Sequence, residues 1–74
     1  MAKKMSNAIA RRWFAHDSDF DRNDERTCYF CLGDIGFWVE KDGTVVEDSE
    51  TCGGGLPSQK IVDACVRAAK KHLG

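Results

Sequence analysis

A chain of 74 residues, 42% hydrophobic and 31% charged, has room for one small core and too much apolar content to stay unfolded. No apolar run approaches the roughly 20 residues that a helix needs to cross a bilayer, and a net charge of −1 argues against a uniformly basic or acidic protein. The near-zero total conceals a partition along the chain. Residues 1–16 carry Lys3, Lys4, Arg11 and Arg12, a segment charge of +4. Residues 17–56 carry eleven acids against Arg22, Arg26 and Lys41, a charge of −8. Residues 57–74 carry Lys60, Arg67, Lys70 and Lys71 against Asp63, a charge of +3. An acidic middle between basic ends bears on partners rather than on fold.

Residues 1–5 read as a flexible start to a single small domain spanning 1–74. Met1-Ala-Lys-Lys opens with positive charge, but no apolar stretch of the secretory type follows it. A cytoplasmic protein is therefore the expectation, and with it reduced thiols at Cys28, Cys31, Cys52 and Cys65. Residues 6–15, SNAIARRWFA, read as a short helix. Ser6 or Asn7 can cap it, Ile9/Trp13 and Ala10/Phe14 make its apolar stripe, and Arg11 and Arg12 suit its C-terminal end. Residues 16–26, HDSDFDRNDER, form an acidic linker with Phe20 as its apolar anchor.

Residues 28–48 hold most of the aromatic and β-branched side chains, punctuated by Gly33-Asp34 and Asp42-Gly43. Both pairs signal two-residue hairpin turns. The expected product is a three-stranded antiparallel meander over 27–32, 35–41 and 44–48. In that register Leu32 opposes Ile35, Phe30 opposes Phe37, Cys28 opposes Val39, and Val39 opposes Val46. By the period-two rule these residues line one face, the core face. The other face would carry Tyr29, Cys31, Trp38, Glu40, Val45 and Glu47, with Tyr29 and Trp38 directly opposed. A loop, SETCGGGL, leads to Pro57, which suits the first turn of a helix over 58–72. Its apolar stripe is Ile61, Cys65, Ala68 and His72, flanked by Val62, Val66, Ala69 and Leu73. It should cover the Cys28/Phe30/Phe37/Val39 face. The fold class is α+β in the order α-β-β-β-α. Either the first helix covers the second sheet face with Ile9, Trp13 and Phe14, or that face is left for a partner.

Cys28-x2-Cys31 with Cys52 resembles part of a zinc ribbon, so a small structural zinc module is one reading. Against it, residues three apart in a strand point to opposite faces. Asp17-x-Asp19-x-Asp21 begins like a calcium loop, but Arg22 stands where the sharp turn needs glycine and Cys28 where a bidentate glutamate belongs. His16 beside Asp17 has no nucleophile placed with it. Gly53-Gly54-Gly55 lacks the Lys-Ser/Thr of a phosphate loop, and Asp48 and Glu50 would repel phosphate. No catalytic residue, metal ligand or cofactor is expected.

Two readings as a binding protein remain. Arg11, Arg12, Lys60, Arg67, Lys70 and Lys71 could contact nucleic acid. The α-β-β-β-α order and the run Arg67-Ala-Ala-Lys-Lys-His-Leu73 resemble the double-stranded RNA-binding domain and the related HicA-type toxins. That resemblance implies a shared architecture; Lys60 alone answers to the first family's lysine cluster, and the first strand lacks the toxins' catalytic histidine. Alternatively Asp17, Asp19, Asp21, Asp24, Glu25, Glu47, Asp48 and Glu50 present a row of negative charge to a basic groove, with Tyr29 and Trp38 as aromatic anchors. Small size, missing motifs and an acidic middle resemble the small phage-encoded inhibitors of bacterial defence, of which anti-CRISPR proteins are the best-known class. The resemblance implies a non-enzymatic inhibitor in the host cytoplasm, occupying the nucleic-acid groove of a larger protein or ribonucleoprotein complex. It assigns no residue a role.

Overall fold

The computed structural model describes residues 7–14, 26–50 and 55–74. The order is helix α1 (Ala8–Trp13), strands β1 (Thr27–Leu32), β2 (Ile35–Glu40) and β3 (Val45–Glu47), and helix α2 (Gln59–Leu73). This is the expected α-β-β-β-α arrangement, with one antiparallel sheet in the order β1-β2-β3. The expected flexible start lies outside the described residues.

Asn7 is the cap that starts α1: its side-chain oxygen accepts a hydrogen bond from the Ile9 N–H at 2.8 Å. The helix is shorter than the apolar spacing suggested. It stops at Trp13 because Phe14 turns extended (φ −66°, ψ 118°) and forms an isolated antiparallel bridge to Phe30 on β1.

Between β1 and β2 the register is the expected one, Cys28 opposite Val39, Phe30 opposite Phe37, Leu32 opposite Ile35 and Tyr29 opposite Trp38. Gly33 takes the left-handed conformation (φ +63°) that the two-residue turn requires. The second hairpin departs from expectation by one residue: Val39 opposes Val45, not Val46, and Trp38 opposes Val46. Its turn takes in Lys41, Asp42 and Gly43. The Gly43 N–H bonds to the Glu40 carbonyl at 2.8 Å, the Glu40 N–H bonds to the Thr44 carbonyl at 2.8 Å, and Gly43 sits at φ +96°. That is a three-residue loop closed by a positive-φ glycine, which the same Asp-Gly pair serves equally well.

The shift changes the face of every β3 side chain. Val45 joins the core side, partly buried against the core cluster. Val46 moves to the Tyr29/Trp38 side and is 42% exposed. Glu47, opposite Phe37, belongs to the core side at its exposed edge. The Asp42 carboxylate stabilises the turn by accepting from the Thr44 N–H at 2.9 Å. Hydrogen bonding from Thr44, side chain then backbone, holds its pKa below the usual value near 3.8, with Lys70 contributing. The turn bonds to that carboxylate are thus fully present above pH 3.8 and lost as pH falls through the lowered value.

Gly43→Ala is expected to cost about 1–2 kcal/mol, because alanine is strained at positive φ. A β-carbon there would meet Lys70 and Val66 side-chain atoms only at ordinary contact, 3.7–3.8 Å, so backbone strain and not crowding sets the cost. A fall in the urea midpoint measures it. An unchanged midpoint would mean that the turn has another geometry.

Both helices pack on the same side of the sheet. Ala10 and Trp13 of α1 join Cys28, Phe30, Phe37, Val39, Cys65, Ala68 and Ala69 in one buried cluster. The rings lock this arrangement: Phe30 stacks on Phe37 (centroids 5.5 Å, 17°), Trp13 tilts onto Phe37 at 6.1 Å, and Phe14 meets Phe30 edge-on at 5.7 Å. On α2, Ala64 and Ala68 are buried and His72, four residues on, contacts the Phe14 ring at 5.4 Å. Ala64 is buried although it lies outside the expected apolar stripe of Ile61, Cys65, Ala68 and His72. Pro57 precedes the helix instead of entering its first turn, and Ser58 is the N-cap. Of the two expectations for α1, covering the second sheet face is therefore wrong. Its Trp13 and Phe14 complete the Phe30/Phe37 cluster, the larger apolar surface.

Candidate binding face

The side of the sheet away from α1 and α2 is built by alternation. Tyr29, Trp38 and Val46 form one cross-strand lane, and Cys31, Gly36 and Asp48 form the next. Gly36 contributes no side chain between its two neighbours. The Tyr29 hydroxyl reaches across this lane and donates to the Asp48 carboxylate at 2.5 Å. The other Asp48 oxygen accepts from the Glu50 N–H at 3.0 Å. Asp48 is 2% exposed and Tyr29 3% exposed. A carboxylate at this depth is tolerated because hydrogen bonds replace its lost hydration. Trp38 is half-buried and leans on Tyr29, ring centroids 5.0 Å apart at 53°.

This divides the residues expected to meet a partner. Tyr29 and Asp48 bond to each other in the interior and are withdrawn from the surface a partner would approach. The sequence offered no signal for this, because the expected second-hairpin register sets Asp48 on the face opposite Tyr29. Val46 is exposed, Trp38 is half-buried, and Glu47 and Glu50 are exposed at the β3 edge. Asp17, Asp19, Asp21, Asp24 and Glu25 lie outside the described residues. Their segment is tethered by described residues at both ends: Phe14, bridged to Phe30, and Arg26, whose carbonyl accepts from the Lys41 N–H at 2.8 Å. Both tethers sit at β1, one edge of the sheet, whereas Glu47 and Glu50 sit at the other. Two strand spacings, roughly 10 Å, separate those edges.

The metal and anion readings can be placed as well. Cys28 is buried in the core and Cys31 lies on the opposite face of β1, so their thiols diverge. Cys65 is buried in the helix–sheet core, and desolvation pushes its thiol up to about 12, the behaviour of a packing residue and not of a thiolate ligand. His72 is engaged with Phe14. Cys52, His16 and the calcium-like Asp17–Asp21 run lie outside the described residues, as do Gly53 and Gly54. Gly55 has positive φ (+74°), and a Glu47 carboxylate oxygen lies 3.9 Å from where its β-carbon would be, which disfavours phosphate there. Among the described residues, no group of three or more metal-ligating side chains converges.

No protein-family model matches the chain, no curated protein matches it, and no solved structure matches it. Function must be inferred from the surface itself. Among the described residues no helix is long and apolar enough to cross a membrane.

Proposed function

We propose that the chain is a non-enzymatic binding protein that meets a larger macromolecular partner with the Trp38/Val46 face and with its acidic residues Asp17, Asp19, Asp21, Asp24, Glu25, Glu47 and Glu50. The observation that supports this reading is the placement of both helices on one side of the sheet. It sets Trp38 and Val46 on the other side of the sheet, with Glu47 and Glu50 exposed at the β3 edge. Trp38 and Val46 supply the apolar contact, and the carboxylates supply steering toward a basic groove. In its most specific form the partner is a bacterial defence complex of the CRISPR type, and the chain occupies its nucleic-acid groove as an inhibitor.

The test is displacement of labelled target nucleic acid from purified CRISPR-type effector complexes. Displacement should occur and should weaken steeply with salt. It should fall at least about tenfold on reversing Asp17, Asp19, Asp21 and Asp24 to lysine, or on combining Trp38→Ala with Glu47→Lys and Glu50→Lys. Complexes that keep their nucleic acid at saturating chain would overturn the reading. So would a folded charge-reversed variant that displaces as well as the parent.

A further inference from the structure

The fold does something on the helical side that the chain order alone does not show. Because α1 and α2 pack side by side on one face of the sheet, the basic segments from opposite ends of the sequence enter one layer. Arg11 and Arg12 are exposed on α1, opposite its buried Ala10 and Trp13. Lys60, Arg67, Lys70 and Lys71 are exposed on α2, opposite its buried Val62, Cys65 and Ala69. Asp63 is the acid among them, and Gln59 donates to it at 2.7 Å. Lys70 leans toward the Lys41–Gly43 turn, where its charge acts on Asp42. Lys60, Arg67 and Lys71 remain as a row on the outer surface, with the α1 arginines in the neighbouring helix.

We infer that this helical layer is a second binding surface, for the phosphate backbone of a nucleic-acid duplex. Three features select that partner. Lys60 to Lys71 spans roughly 16 Å along a helix, the axial length of about five phosphates on one strand. The exposed residues of α2 from Gln59 to Lys71 are polar or charged, with none of the Trp, Phe or Leu that a membrane-surface helix buries among lipids. Among the described residues the layer also lacks an exposed aromatic platform on which unpaired bases could stack, since Trp13 is buried and Phe14 is engaged with Phe30 and His72. What remains is cation-to-phosphate contact, which is independent of sequence.

The experiment is fluorescence anisotropy with labelled duplex DNA, duplex RNA and single-stranded DNA at 50 and 200 mM salt, beside sedimentation with phosphatidylserine vesicles. Duplex binding is expected at 50 mM salt, with a log–log salt slope of about −3 to −5 for DNA. The variant K60Q/R67Q/K71Q, whose changes all lie on exposed positions, should lose at least about tenfold in affinity and flatten that slope. The duplex DNA and RNA arms show whether one backbone geometry is preferred. No duplex binding at 50 mM salt overturns the inference, as does unchanged affinity in the folded variant, tighter binding to the single strand than to either duplex, or binding to vesicles without binding to duplex. Trp38→Ala, on the other side of the sheet, leaves this layer intact and should still bind duplex. Loss of the displacement activity proposed above is thus distinguishable from loss of this one.

Discussion

Phe37→Ala is expected to destabilise the domain by about 3–5 kcal/mol, the range for removing a buried aromatic side chain. Phe37 is fully buried and is the ring on which the layers meet, stacked on Phe30 at 5.5 Å and touched by Trp13 at 6.1 Å. Truncating it removes contacts from β1 and α1 together and leaves a cavity that a central strand cannot collapse to fill. Native stability for a chain of this length is of the order of 4–11 kcal/mol, scaling a typical ~0.05–0.15 kcal/mol per residue. The variant should therefore stand at the edge of folding, visible as a large fall in the urea midpoint followed by circular dichroism. Phe37→Leu, which keeps much of the apolar volume, should fall between the two. Val46→Ala, on a side chain 42% exposed, should stay within about 0.5 kcal/mol of the parent. A loss below about 1 kcal/mol in Phe37→Ala would refute the two-helices-on-one-face packing.

The second large effect concerns Tyr29 and Asp48. Tyr29→Phe keeps the ring against Trp38 and deletes the hydroxyl that donates to the buried carboxylate. Hydrogen bonds to charged groups contribute about 1.5–3 kcal/mol, and a buried acceptor deprived of its donor bears the desolvation cost. A loss in that range is expected for Tyr29→Phe. Asp48→Ala should lose at least as much, because the Glu50 N–H is deprived of its acceptor too. A double-mutant cycle isolates the pair: the two changes together should cost less than their sum by about 1–3 kcal/mol. Strict additivity would mean that hydroxyl and carboxylate act independently, and the bond would then carry no net stability.

Much of the architecture was legible in the sequence because it rests on local chemistry. Alternation over Cys28–Val39 and the Gly33-Asp34 pair define the first hairpin to the residue, including the Tyr29–Trp38 opposition. The 3.6-residue stripe from Ile61 to Leu73 defines α2. The second hairpin was legible as a hairpin but not in register, since Asp42-Gly43 can close a two- or a three-residue turn, and the choice moves Val45, Val46 and Glu47 to opposite faces. The candidate site was less legible still. Asp48 reads as a surface acid beside Glu47 and Glu50 until the register places it across Gly36 from Cys31, within reach of Tyr29.

The amino-acid sequence by itself determined the elements, their order, the first register and the division of charge into basic ends and an acidic middle. Each of these follows from neighbours a few residues apart or from composition. Tertiary structure alone decided which sheet face α1 covers, because Ile9, Trp13 and Phe14 could complete either. Packing Trp13 and Phe14 against Phe37 and Phe30 merges the apolar faces of three elements into one cluster, whereas covering the other face would have divided them. That same choice gathers the cations of both chain ends into one layer and leaves Trp38 and Val46 on the opposite side.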